Sequence, residues 1–118
     1  MTNEAELTIR ERLVGTVTIL DLQGKITESG GTVALRNAIR GLLGAGKTSI
    51  VLNLKGVSEV DDSGFSEIVA SYKACEAAHG ALKLLNMPDY FNDLLSITKF
   101  LTVFQTFDNE DDVVASFN

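Results

Sequence analysis

The sequence predicts an α/β fold: a mixed, mainly parallel β-sheet with helices packed against it. Three observations carry this reading. Short runs rich in β-branched and aliphatic residues alternate with longer segments whose apolar residues recur at helical spacing. Glycines punctuate the changes of period, at Gly44, Gly46 and Gly80. The first two apolar runs follow one another directly, with Val14-Gly15 as a turn, so the sheet opens on a hairpin and is not wholly parallel.

Each element has its own argument. Leu7 to Arg12 sets Leu7, Ile9 and Glu11 against Thr8, Arg10 and Arg12, the alternation of an edge strand. Val17 to Leu22 is the second strand, closed by Gly24. From about Ser29 to Leu43 the period changes. Val33, Leu35, Ile39, Leu42 and Leu43 are assigned to one helical stripe, with Arg36, Asn37 and Arg40 elsewhere. Gly44 and Gly46 end the helix, because glycine readily takes the left-handed cap conformation. Ser49 to Leu54 reads as a strand buried on both faces.

A second helix is expected from Asp61–Ser63 to Ala78 or His79, with the stripe Phe65, Ile68, Val69, Tyr72 and Cys75 and Gly80 as its stop. Leu82 to Leu85 is a further short strand. Pro88 suits a first helical turn, and Phe91, Leu94, Leu95 and Thr98 follow at helical spacing. Val103 to Phe107 reads as the last strand. Asn109 and the acidic run from Glu110 to Asp112 open a short final helix ending near Phe117, since carboxylates favour a helix N-terminus. The order is β-β-α-β-α-β-α-β-α. At 118 residues this is expected to be one domain, over residues 1–118, able to bury a core without disulfide or metal help.

Composition narrows the partners. The net charge is -6 and no basic cluster stands out. Nucleic acid is a poor candidate, because phosphate binding needs Lys and Arg gathered on one face. Anionic membrane surfaces are disfavoured on the same ground. The single cysteine, Cys75, rules out an internal disulfide or a Cys-x-x-Cys pair. No signal peptide or spanning apolar run is visible, so a soluble cytoplasmic protein is expected. Met1 to Glu6 is polar and expected to fray.

Two stretches invite a chemical reading. Gly41-Leu42-Leu43-Gly44-Ala45-Gly46-Lys47-Thr48 matches the phosphate-loop pattern GxxxxGK[ST]. That loop must follow a strand and open a helix, so that N–H groups and the positive helix end face the phosphates. Here a helix precedes the glycines and a strand follows. A helix C-terminus turns carbonyls outward and repels phosphate, and no strand ending in a metal-binding Asp is evident. An ordinary turn between helix and strand is the better account, with a nucleotide-binding protein as the rival.

The second stretch, Val57-Ser58-Glu59-Val60-Asp61-Asp62-Ser63-Gly64-Phe65, does follow a strand and open a helix. Asp61 or Asp62 can cap that helix. Gly64 permits close approach of the chain or a partner. Ser63 and Ser66 place hydroxyls near the positive helix end. Taken alone, these residues also describe a well-capped helix start with no further role.

Together with the strand Ile50-Val51-Leu52-Asn53-Leu54, the stretch resembles the signature of STAS domains. In that family an apolar strand and a short loop lead to Asp-Ser-Ser-Gly-Leu or Asp-Ser-Thr-Gly-Leu at the start of a helix. Element order and length match along nearly the whole chain. The resemblance, nearest to bacterial anti-sigma-factor antagonists, implies a regulatory protein-binding module with no enzymatic activity and no cofactor. It also implies a partner-switching role. The partner is then an anti-sigma factor that is itself a histidine-kinase-like serine kinase. That kinase phosphorylates the first serine after the motif's Asp, and the phosphate breaks the contact by repulsion and desolvation.

The chain departs from this pattern at one position. Asp61 matches the motif's Asp, Ser63 the second hydroxyl residue, Gly64 the glycine and Phe65 the usual leucine. Asp62 stands where the phosphorylatable serine belongs. It can mimic a permanently modified state, contact a basic partner surface, or leave modification to Ser63 or Ser58. Ser58, Asp61, Asp62, Ser63, Gly64 and Phe65 form the expected partner-binding loop. Docking is expected over Ser58 to Tyr72, on a monomer or weak dimer. The alternative role is a cytoplasmic accessory subunit of a lipid-transport ABC system, which fits the missing serine.

The remaining candidates read as structural. His79 is a helix-end residue with no nucleophile beside it. Cys75 lies on the apolar stripe and is expected in the core. Asp108, Glu110, Asp111 and Asp112 lack the spacing and glycine of a calcium loop. Phe91, Phe100, Phe104, Phe107 and Phe117 are expected mostly in the core.

Overall fold

A computed structural model describes residues 6–98 and 103–118. The order is β1 (Leu7–Val14), β2 (Val17–Ile26), α1 (Gly31–Gly44), β3 (Ser49–Val60), α2 (Asp62–Ala77), β4 (Ala81–Leu85), α3 (Asp89–Thr98), β5 (Thr106–Phe107) and α4 (Glu110–Ala115). The five strands lie in the sheet in sequence order. β1 pairs antiparallel with β2, and every later neighbour is parallel. The predicted α/β class and element order are those observed.

Strand alternation explains the two layers. One face carries Leu20, Leu22, Ile50, Leu52, Leu54, Leu82 and Leu84, which pack with Leu35, Ile39 and Leu42 of α1, Ile68 and Cys75 of α2, and Phe91 and Leu95 of α3. The other carries Val17, Ile19, Val51 and Leu85, covered by Val113 of α4 with Val114 and Phe117 beside it. A sheet enclosed this way buries consecutive residues, which is why Ile50, Val51 and Leu52 are all fully buried. α1 and α2 are also tied by Arg36 Nε, 3.0 Å from Oε1 of the buried Glu67.

Several expectations need correction. Gly24 does not close β2. It takes φ 117° inside the strand, at a register shift, and a Cβ there would strike the Glu6 carbonyl, so the position calls for glycine on both counts. β3 likewise continues past Leu54 to Val60. Val33 is 48% exposed: it lies two residues from Leu35, on the far side of the α1 stripe. The left-handed turn after α2 belongs to His79, at φ 63°. Gly80 is needed instead for close approach to the Thr48 backbone. Only Thr106–Phe107 forms the last strand. Phe104 leaves the strand direction to lie edge-on to Tyr72, with ring centroids 5.1 Å apart. Phe107 and Phe117 are half-buried, and Phe100 lies outside the described residues.

Glu6 is not frayed. Its carbonyl accepts the Lys25 N–H at 3.0 Å. Its Oε1 accepts the N–H groups of Gly31 at 2.7 Å and Thr27 at 3.3 Å, and so caps α1 from outside the helix. Hydrogen bonds from the Thr27 side chain and the Gly31 backbone hold its pKa below the ordinary carboxylate value.

Across the second face, Arg12 donates to both Asp21 oxygens, at 2.6 and 3.1 Å, and to Glu110 of α4 at 2.7 and 3.2 Å. Asn53 bridges Asp21 to Asn86. The Arg12 hydrogen bonds are the main reason that both carboxylates titrate below their ordinary values. The unfolded chain therefore takes up protons first. The stabilisation is complete above the unfolded carboxylate values of about 4 and fades as pH falls through the lower folded values. Arg12→Met is expected to flatten this acid limb. The check is the urea midpoint of both proteins from neutral pH to below pH ~4; an unchanged limb would show that the cluster is too well solvated to matter.

Candidate functional site

The site lies where β2 and β3 end and α2 begins. Asp61 leaves β3 in extended conformation and caps α2, its Oδ1 accepting the Gly64 N–H at 2.8 Å. Its Oδ2 accepts the N–H of Glu28 at 3.1 Å. One carboxylate thus fastens the β2–α1 loop to the start of α2. Glu6 grips the same loop from its other side through Thr27 and Gly31.

Gly64 is buried against β2, with the Ile26 carbonyl in the space that a Cβ would occupy. That carbonyl also accepts the Asp61 N–H at 3.4 Å. The first turn of α2 therefore rests directly on strand backbone. Phe65 is half-buried, edge-on to Phe91 of α3 with centroids 6.1 Å apart. Tyr90 donates its hydroxyl to the Val57 carbonyl at 2.6 Å, pinning the start of α3 to β3.

On this frame Asp62, Ser63 and Ser66 are exposed. Asp62 is the first residue of α2, and its carboxylate stands at the positive helix end. Ser58 is exposed in late β3, its Oγ donating to the Gly24 carbonyl at 3.2 Å. Glu28, Ser29 and Glu59 are exposed nearby, with Lys25 3.7 Å from Glu59.

The six residues singled out in the sequence thus divide. Ser58, Asp62 and Ser63 present themselves to solvent, while Asp61, Gly64 and Phe65 hold the frame. Within the docking segment expected over Ser58 to Tyr72, α2 turns one side to the core. Glu67, Ile68 and Ser71 are buried, and Tyr72 is half-buried against Phe104. The sequence reading missed Glu28, Ser29 and Tyr90. They join the surface only through the fold, 33 residues separating each bonded pair, Glu28 with Asp61 and Val57 with Tyr90.

The phosphate-loop match is a turn after α1. The N–H groups of Ala45, Gly46 and Lys47 bond to carbonyls of Gly41, Leu42 and Leu43, so they do not face a ligand. Lys47 lies 3.6 Å from Glu11 of β1. Cys75 is fully buried, and desolvation lifts its thiol to about 11, far from a reactive thiolate. Among the described residues no group of three His, Cys, Asp or Glu side chains is placed to hold a metal ion, and no helix is long and apolar enough to cross a membrane.

The layered sheet of this topology, with an Asp-capped helix after its central strand, is a known domain architecture, as comparison with known proteins shows. The STAS domain model matches residues 7–113, and the chain belongs to that family. The same fold occurs in an anti-sigma factor antagonist from Mycobacterium paratuberculosis, at TM-score 0.82 and 17% identity, covering 94% of this chain and 93% of that one. The Bacillus cell fate determinant SpoIIAA in its phosphorylated form aligns at TM-score 0.75 and 18% identity, over 94% of this chain and 100% of that one. A sulfate transporter family protein from Wolinella succinogenes aligns at TM-score 0.69 and 18% identity, over 89% and 87%. Comparison with curated protein sequences gave no match.

Proposed function

We propose that this chain is a non-enzymatic, protein-binding regulator that acts as an anti-sigma-factor antagonist. It docks a histidine-kinase-like anti-sigma factor through the surface around the start of α2. The observation that carries this reading is Asp62: an exposed carboxylate at the first position of α2, on a frame that Asp61 and Gly64 hold in place. The resemblance to anti-sigma-factor antagonists implies that a kinase-phosphorylated serine belongs at this position. Asp62 accepts no phosphate from a serine kinase. Its carboxylate is a constant contact, and with Glu28 and Glu59 nearby it favours a basic partner surface. The docking is thereby uncoupled from phosphorylation at this position. A phosphate on Ser63 would instead be placed beside these carboxylates and would weaken binding by repulsion.

The test is affinity capture of the tagged chain from its native cells, followed by binding measurements on the captured kinase. Asp62→Lys is expected to weaken binding by about tenfold or more, chiefly through slower association and altered salt dependence. The fold should persist, because the Asp62 side chain is exposed. Asp62→Ser is expected to gain one phosphate by intact mass when incubated with the kinase and ATP. A kinase that binds but transfers nothing to Asp62→Ser would refute the serine correspondence. Capture of a membrane transporter subunit and no kinase would place the chain with the transport-linked members of the family, as an accessory to a lipid-transport system.

A further inference from the structure

Among the described residues the second face of the sheet is only partly covered. α4 crosses it above the row Arg12, Ile19, Val51 and Lys83, which the strand register sets side by side. Its C-terminus is fastened by Lys83, which donates to Ser116 at 2.9 and 3.0 Å and lies 4.3 Å from the Phe117 ring centroid. Beside α4 no described helix covers the sheet. A recess of about 530 Å³ opens there, lined by Thr8, Arg10, Asp21, Gln23, Asn53 and Lys55 among others.

Charge is distributed unevenly across this step. Asp21 in the recess is already met by Arg12 and Asn53. Arg10 and Lys55 are exposed and form no close ion pair among the described residues, although Arg10 lies opposite Asp21 across the strands and acts on it through space. With two cations to one carboxylate in its lining, the recess keeps a positive balance on a chain of net charge -6. The outward side of α4 is the reverse. Asp111, Asp112 and Ala115 are exposed, and neither aspartate has an ion-pair partner among the described residues. A raised acidic helix and a cationic recess thus lie side by side on one face.

We infer that this face pairs with a second copy of the chain about a two-fold axis running along the step, each α4 seating in the other's recess with Asp111 and Asp112 opposite Arg10 and Lys55. A two-fold contact must be self-complementary, and this face is so in shape and in sign. Each α4 then lies between its own sheet and its partner's. The surface at the start of α2 takes no part, so this inference does not rest on the proposed function.

Sedimentation velocity over the micromolar range tests it. The wild type is expected to show a monomer–dimer equilibrium that weakens between about 0.05 and 0.5 M salt, where the Debye length falls from roughly 14 to 4 Å. Arg10→Glu with Lys55→Glu, and separately Asp111→Lys with Asp112→Lys, are each expected to raise the dimer dissociation constant by about tenfold or more. Circular dichroism checks that each variant is folded; where a pair is not, Lys55→Glu and Asp112→Lys serve singly. The decisive sample is an equimolar mixture of the two charge-reversed proteins. Both halves of a mixed dimer regain opposite charges, so heterodimer is expected where each protein alone is monomeric. Asp62→Lys is expected to leave the dimer unchanged. A wild type that stays monomeric in low salt, reversed variants that dimerise as the wild type does, or a mixture that stays monomeric would each overturn the inference.

Discussion

Phe91→Ala is expected to destabilise the fold by about 3–5 kcal/mol, the usual cost of emptying a fully buried phenylalanine site. At this chain length that is roughly 4 °C per kcal/mol, or a drop of roughly 12–20 °C in Tm. Phe91 has no exposed surface, and its ring is the edge-on partner of Phe65. α3 is a ten-residue helix, too short to persist in water without tertiary anchors. Its anchors are Phe91 and Leu95 in the core and the Tyr90 hydroxyl on the Val57 carbonyl. Losing the ring should therefore loosen α3 and remove the support under the first turn of α2, weakening the proposed partner binding beyond the effect on stability. Phe91→Leu keeps most of the buried area and should cost much less. Urea unfolding of both variants decides it. A loss below about 1 kcal/mol for Phe91→Ala, in the range of ordinary substitutions, would mean that the site collapses and that α3 is held elsewhere.

The architecture was readable because the hydrophobic period changes cleanly from two to 3.6 and back. Leu35, Ile39 and Leu42 define α1 without help, and Ile50 to Leu54 can only be a strand enclosed on both faces. The errors have physical sources. Val33 and Val103 are apolar and exposed, and nothing local distinguishes them from core residues. Gly24 looked like a terminator because a bulge and a turn both call for glycine. His79 adopts a left-handed conformation that sequence assigns first to the adjacent glycine.

The candidate site was legible in part. Asp61, Asp62, Ser63 and Gly64 are contiguous, so their position at a helix start followed from order alone. Which aspartate caps did not, and the geometry gives that role to Asp61. Long-range partners were beyond reach. Glu6 closes the α1 end from 25 residues before Gly31, and Asp61 holds Glu28 from 33 residues after it. The identity of the bonded groups matters here more than the side chain at position 28, because the donor is a backbone N–H. No residue type at that position could have announced the contact.

Gly64→Ala is expected to cost about 1–3 kcal/mol, the range for forcing atoms into filled space, although alanine is the better helix former. The added Cβ would overlap the Ile26 carbonyl oxygen and crowd the Ile26 Cγ2. That carbonyl cannot swing aside freely. It belongs to a residue of β2 paired with Val60 and accepts the Asp61 N–H. The strain is relieved only by lifting the first turn of α2 off the sheet, which pulls the Gly64 N–H away from Asp61 and displaces Asp62 and Ser63 from the proposed partner surface. Gly64→Val should be worse, since its branched side chain adds bulk against the same strand. Gly41 supplies the control. It lies in α1, exposed, with nothing near the position of a Cβ, so Gly41→Ala is expected to stabilise by about 0.5–1 kcal/mol. One substitution, made at two helical glycines, should thus change sign. Chemical denaturation of the two variants reads this directly. A stabilised Gly64→Ala would show that α2 can shift without loss, and the rigid frame assigned to the site would fall with it.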